Sequence, residues 1–189
     1  MCTDDPIYER FIQGDHEAMS MLVETFQHEL YNLCFRLTFN RHDAEDLFQE
    51  TWLKAIRNAG QYEHEAFKAW LFQICLNQYR DQYRRNSRRR KVIKDDFAST
   101  SAKDYILTAV DDPEQIEEQY EKKYVQALLV ANINRLPERQ KLPIVLFYYQ
   151  QMKYAEIAAV LQVPEGTVKS RINTAKKKLK YVLEREWHV

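Results

Sequence analysis

Apolar residues recur at three- and four-residue spacing along almost the whole chain, and the alternation expected of half-buried strands is missing. Only three glycines and five prolines interrupt that pattern. The fold class it predicts is all-α. Gly14 separates a short first helix from a long one, whose buried stripe is expected to include Met21, Phe26, Leu30, Leu33 and Leu37. Asp43 is expected to cap a helix running to about Arg57, with acids in its first turn facing the positive end of the helix dipole. Residues 58–65 read as a loop, and a further helix starts near Ala66. The periodicity fades from about Ser87 to Pro113 and returns in segments near 114–135, 138–150, 154–161 and 165–185. This divides the chain into two small helical domains, 1–90 and 114–189, joined by a flexible linker over 91–113 that is basic at its start and then acidic and rich in small residues.

Two stretches carry more than a packing pattern. YAEIAAVLQVPEGTVKSRI reads as a helix-turn-helix, with a short helix, a tight turn and a second helix opened by Pro164 and Gly166. On that second helix Val168, Ile172, Ala175 and Leu179 form one inward stripe. Ser170, Asn173, Thr174 and Lys177 lie opposite, bordered by Lys169, Lys176 and Lys180 on one side and by Arg171 and Lys178 on the other. Polar groups at the centre with cations at both borders suit base edges flanked by phosphates. The turn has Gln162 where Gly is common, so either a positive φ there costs about 1 kcal/mol or the turn differs in shape. The helix after Ala66 has two apolar sides, Phe67, Trp70, Leu71, Ile74 and Phe72, Leu76, Tyr79, Tyr83, both assigned mainly to packing. A polar strip of Gln73, Asn77, Arg80, Arg84 and Arg88 runs between them, beside the loop bearing Tyr62, and could follow a single nucleic-acid strand by phosphate contacts and stacking.

Composition narrows the class. At 189 residues, 45% hydrophobic and 13% aromatic, the chain can bury real cores. No apolar run approaches the ~20 residues of a membrane span, and the acidic start, Met1 to Asp15, is unlike a secretory leader. A soluble, cytoplasmic chain with no direct membrane insertion is expected. Cys2, Cys34 and Cys75 lack CxxC spacing and read as reduced thiols. The 28 basic and 28 acidic residues cancel overall but are unevenly spread: residues 1–66 hold 13 acids and 5 bases, whereas VPEGTVKSRINTAKKKLK holds six bases and one acid. No nucleophilic triad or phosphate-binding glycine loop is present, so neither catalytic residues nor a cofactor is expected and the chain is read as a non-enzyme. His42, Asp46 and Glu50, at four-residue spacing, are the one arrangement from which a metal-dependent hydrolase could be imagined. No second acid-and-histidine helix completes it, so no metal is expected, and capping with a partner-binding face is the preferred reading of that helix.

Four stretches, DAEDLFQETWLKAI, AFKAWLFQICLNQYRDQYRR, LPERQKLPIVLFYY and YAEIAAVLQVPEGTVKSRI, together resemble the extracytoplasmic-function sigma factors of the bacterial sigma-70 family. They occur in the family's order, with its linker between the second and third. The resemblance implies a subunit that binds core RNA polymerase, directs it to promoter DNA and helps melt it, and it implies an anti-sigma factor as a further partner. It assigns Asp43, Asp46, Gln49 and Glu50 to polymerase docking, and Tyr62, Asn77, Arg80, Arg84 and Arg88 to the opened strand of the minus-ten element. Thr167, Lys169, Ser170, Arg171, Asn173, Thr174, Lys176, Lys177 and Lys178 are assigned to the upstream duplex at the minus-thirty-five element. The chain departs from the family's usual residues at Gln162, at Gln150-Gln151-Met152 where a Gly is common, and at Cys75 where Ala is usual. The linker is implied to thread toward the RNA exit channel. The competing binding-module reading is a free-standing regulator that uses its helix-turn-helix as a dimer on a palindromic operator.

Overall fold

The structure, a computed structural model, describes residues 6–63, 66–92 and 116–187, with the helical backbone alone for 84–92, 116–123 and 186–187. Eight α-helices are present among the described residues, and no strand. The expected linker over 91–113 falls almost wholly outside the described residues, apart from the end of one helix.

The first domain is built from α1 (Pro6–Ile12), α2 (His16–Thr38), α3 (Arg41–Arg57), a 3-10 turn (Ala59–Gln61) and α4 (Phe67–Val92). Gly14 has φ +83. This left-handed conformation lets the chain turn between α1 and α2. The Asp15 carboxylate then caps α2, accepting from the amides of Glu17 and Ala18. Leu22, Phe26, Leu30, Leu33 and Leu37 are buried along α2. Met21 does not join them: it is 47% exposed, because Leu22 occupies that turn of the stripe and Met21 is rotated about 100° away. The cap of α3 also differs from expectation. Asn40 sits before the first turn and its side chain accepts from the Asp43 amide at 3.0 Å, so Asp43 lies inside the first turn.

Helix α4 packs on α2 and α3. Phe67, Leu71, Phe72, Ile74, Leu76 and Tyr79 are all buried, so both apolar sides find a core. Trp70 is half-buried against that core, and Tyr83 is exposed, at 48%, with its ring 6.2 Å from that of Tyr79. The thiols of Cys34 and Cys75 are free and meet 3.6 Å apart between α2 and α4. Their mutual hydrogen bond and burial push the Cys34 thiol upward, so it stays protonated and unreactive.

The second domain comprises α5 (Ile116–Arg135), α6 (Glu138–Tyr148), α7 (Tyr154–Leu161) and α8 (Glu165–Trp187). Helix α6 is its centre: every residue from Gln140 to Leu146 is buried. Helix α8 packs on α5, α6 and α7, and α7 also packs on α6, while Val168, Ile172, Ala175 and Leu179 are buried as their spacing predicts. The turn between α7 and α8 places Gln162 at φ 54, ψ 48, donating its amide to the carbonyls of Ala158 and Ala159. Gln151 also takes φ 54, at the second position where a glycine was missed. Gln162→Gly removes side-chain strain from a left-handed helix end, so it is expected to stabilise the chain by about 0.5 kcal/mol. Thermal denaturation checks this: the midpoint should rise by roughly 1–2 °C.

Candidate nucleic-acid and polymerase interfaces

The upstream-duplex residues lie where the inward stripe of α8 forces them. With Val168, Ile172 and Ala175 at 0–1% exposure, the helix cannot rotate, and Lys169, Ser170, Asn173, Thr174, Lys176, Lys177 and Lys178 are all exposed. Thr167 and Arg171 are half-buried at the edge. The hydroxyls of Ser170 and Thr174 donate back to the carbonyls of Thr167 and Ser170. Their lone pairs remain available to an incoming donor.

On α3, Asp43, Asp46, Gln49 and Glu50 are exposed and successive turns bring them to one side. Leu53 and Ile56, 53% and 39% exposed, continue that side toward the helix end. An acidic face with an apolar extension suits a partner that is basic with an apolar centre. The imagined metal trio does not converge: His42 pairs with Asp46 at 3.2 Å, while the Glu50 carboxylate accepts from Gln82 of α4 at 3.0 Å.

The opened-strand residues are only partly brought together. Asn77 is exposed, and Arg80 beside it on α4 donates to its side-chain oxygen at 3.1 Å. The side chains of Arg84 and Arg88 lie outside the described residues. Tyr62 requires correction: it is 4% exposed, its ring 5.2 Å from Trp70, 5.4 Å from Phe67 and 5.7 Å from Tyr8. Its aromatic surface is consumed by the core, so it anchors the loop and offers no stacking platform in this arrangement.

Sequence reasoning missed the junction between the domains. Lys141 of α6 is 5% exposed, and its ammonium donates to the Leu37 carbonyl at 2.6 Å, the Asn134 side-chain oxygen at 2.7 Å and the Tyr79 hydroxyl at 3.1 Å. Arg80 donates to the Glu138 carboxylate at 3.0 Å, and the Arg36 guanidinium lies 4.5 Å from the Tyr149 ring centroid. Helix α7 packs directly on α4. A cleft of about 230 Å³ between the domains is lined by Arg80, Glu138, Arg139, Leu142 and Arg171 among others. The available signal was Lys141 itself, a cation in the middle of the apolar run of LPERQKLPIVLFYY.

Residues 22–89 match Sigma-70 region 2 and residues 127–179 match Sigma-70 region 4. The first match runs from within α2 to near the end of α4, and the second covers most of the helix-turn-helix domain. The chain is 35% identical over 171 residues to the ECF RNA polymerase sigma factor SigE of Mycolicibacterium smegmatis, an alignment that covers 88% of this chain and 63% of that longer protein. It is 30% identical over 186 residues to the RNA polymerase sigma-H factor of Pseudomonas aeruginosa, covering 96% and 94% of the two chains. Two solved structures share the fold. CnrH, in complex with the cytosolic domain of CnrY, has a TM-score of 0.68 at 22% identity, over 97% of this chain and 99% of that one. The sigma factor RpoE of Bartonella quintana, in complex with the anti-sigma factor NepR, has 0.65 at 24%, over 87% and 96%. The ECF RNA polymerase sigma-E factor of Haemophilus influenzae is 31% identical over 176 residues, covering 92% of both chains, and this chain belongs to the extracytoplasmic-function sigma factors of the sigma-70 family. That membership favours an initiation subunit over a free-standing dimeric regulator.

Burial pushes the Lys141 ammonium down to about 7, while its three oxygen acceptors work in the opposite direction. Below that value the lysine is protonated both folded and unfolded, and the desolvation cost is carried in full. Between about 7 and the ordinary lysine value of 10.5, the folded chain releases a proton that the unfolded chain keeps, so stability rises with pH. Urea denaturation at pH 7, 8 and 9 should show this rise, by at most about 1.4 kcal/mol per pH unit. Lys141→Met should remove Lys141's contribution to that slope.

Proposed function

We propose that this chain binds core RNA polymerase in the cytoplasm, carries it to specific promoters and helps separate the DNA strands, without catalysing a reaction itself. The observation that carries the reading is the outward face of α8, with Asn173 and Thr174 exposed at its centre and lysines at its borders over a fully buried stripe. Such a face reads base edges with its centre and holds phosphates with its rim. Asp43, Asp46, Gln49 and Glu50 of α3 dock on the polymerase, with Leu53 and Ile56 filling the apolar part of that contact. Asn77, Arg80, Arg84 and Arg88 follow the opened strand. The working division is residues 1–90 for docking and minus-ten recognition, 91–113 as linker and 114–189 for the minus-thirty-five element. An anti-sigma factor as regulator is supported by the kind of complex solved for RpoE of Bartonella quintana.

Docking is tested by Asp46→Ala combined with Glu50→Ala. Affinity for purified core polymerase should fall by about tenfold or more, taking about 1 kcal/mol for each lost charged contact. Helical content by circular dichroism should hold, because exposed carboxylates contribute little to folding. Unchanged core affinity refutes the assignment.

Promoter reading is tested by comparing two substitutions on α8 in transcription from a library of upstream elements at two salt concentrations. Asn173→Ala should alter preference at one or two base positions by roughly 1–3 kcal/mol with little change in salt dependence. Lys178→Ala should weaken all sequences alike and lower the slope of log affinity against log salt by about one. A uniform response to Asn173→Ala would mean that another face of α8 meets the bases.

A further inference from the structure

Cys34 on α2 and Cys75 on α4 are nucleophiles that no part of the proposed function uses. Both are fully buried, and their sulfurs meet at 3.6 Å. A disulfide spans about 2.05 Å, so forming one here asks the sulfurs to approach by about 1.5 Å. The helices that carry them are already held together. Helix α2 packs on α4, and one turn to either side of the thiols Leu30, Leu37, Leu71 and Tyr79 are all buried. The pair lies 41 residues apart in sequence, and all of α3, the 3-10 turn and the start of α4 fall between its members.

We propose that Cys34 and Cys75 form an oxidative modification site, at which hydrogen peroxide converts the two thiols into a disulfide that clamps α2 to α4. In the first step one sulfur, as thiolate, attacks the peroxide. An S–O bond forms, the O–O bond breaks, and the hydroxide released takes up the thiol proton as water. In the second step the other sulfur attacks the sulfenic acid, and its proton leaves with the displaced hydroxyl as a second water. Two electrons pass from the sulfurs to the peroxide oxygens. The closed fold withholds the first step, because burial and the mutual hydrogen bond keep Cys34 protonated and only its own backbone acts in the other direction. That step waits for a local opening that admits water and peroxide. The second step needs only reclosure, which returns the thiol to contact with the sulfenic acid before a second peroxide can carry it on to sulfinic acid. A cross-link around so long a loop restricts mainly the unfolded chain, so the oxidised first domain is the more stable form.

The test treats the full chain with hydrogen peroxide, in buffer and in urea just below the unfolding transition. Remaining thiols are then alkylated and the peptides mapped by mass without reduction. A peptide linking Cys34 to Cys75 should appear, severalfold faster in urea, and dithiothreitol should reverse it. The oxidised chain should melt about 10 °C or more above the reduced chain. Cys2→Ser should behave as the wild type does. Cys75→Ala should gain no such shift on oxidation, and its Cys34 should accumulate as sulfinic acid once the resolving thiol is gone. The shift is taken between the oxidised and reduced forms of each variant, so stability lost through the substitution itself cancels. Failure to find the linked peptide even in urea overturns the proposal, as does linkage of either thiol to Cys2 alone. A linked pair that melts no higher than the reduced chain overturns the clamp.

Discussion

Helix α4 has to satisfy two apolar sides at once, and much of the rest of the structure follows from that constraint. Phe67, Leu71 and Ile74 enter one part of the core while Phe72, Leu76 and Tyr79 enter another, all of them buried. A helix with two buried sides has only a narrow surface left for polar groups. In the described part of α4 that surface holds Gln73, Asn77 and Arg80. Their alignment is therefore a consequence of packing, because rotation of α4 about its axis would drive them into α2 or α3. The Phe67 end is held hardest: its ring meets Tyr8, Phe11, Phe26, Tyr62 and Trp70, all with centroids within 5.2–5.5 Å. Tyr62 belongs to that clamp, which is why the loop before α4 is fixed by the same residues that fix the helix.

Where α4 and α2 meet the second domain, the chain uses a cation in place of a hydrophobe. A buried ammonium is costly unless each of its hydrogens finds an acceptor. Lys141 has three acceptors, one from its own domain and two from the other. Burial also pushes the Tyr79 hydroxyl upward, so it stays protonated and offers Lys141 a neutral oxygen. A well-packed apolar residue of similar volume often stabilises such a site more than a buried charge does. The lysine instead sets one register across the junction, because its three acceptors fix where α6 sits against α2 and α4. The same logic covers Arg80 with Glu138 and Arg36 with Tyr149.

What could be read from the sequence was what repeats locally. The second helix-turn-helix helix was legible because Val168, Ile172, Ala175 and Leu179 report its rotation through spacing alone, and that rotation determines which polar residues face out. Gln162 was legible because one turn geometry demands a left-handed residue there. Met21 and Leu22 show the limit: adjacent apolar residues differ by 100° on the helix, and only the neighbouring helices decide which is buried. Asn40 and Asp43 are both good capping residues, so the start of α3 depended on which side chain reached an amide. Tyr62 and Lys141 were beyond reach for a different reason. Two of the three partners of Lys141 are 104 and 62 residues away, and no local pattern encodes contacts at such separations.

The zero net charge of the chain has a structural reading once its parts are separated. Acids concentrate on the first domain and its α3 face, while the cations concentrate on α8 and at the end of α4. Under the proposed function these faces meet different surfaces, a basic protein and an anionic duplex. A uniformly basic chain would bind DNA without polymerase, because phosphate contacts dominate affinity regardless of sequence. Opposite charges on one short chain instead bring the acidic face toward polymerase and the basic faces toward DNA, so orientation is set by the long-range field before any base is read. The junction applies the same economy at short range. Glu138, an acid on the net basic second domain, meets Arg80 on α4 of the first, so opposite charges also meet where the two domains touch.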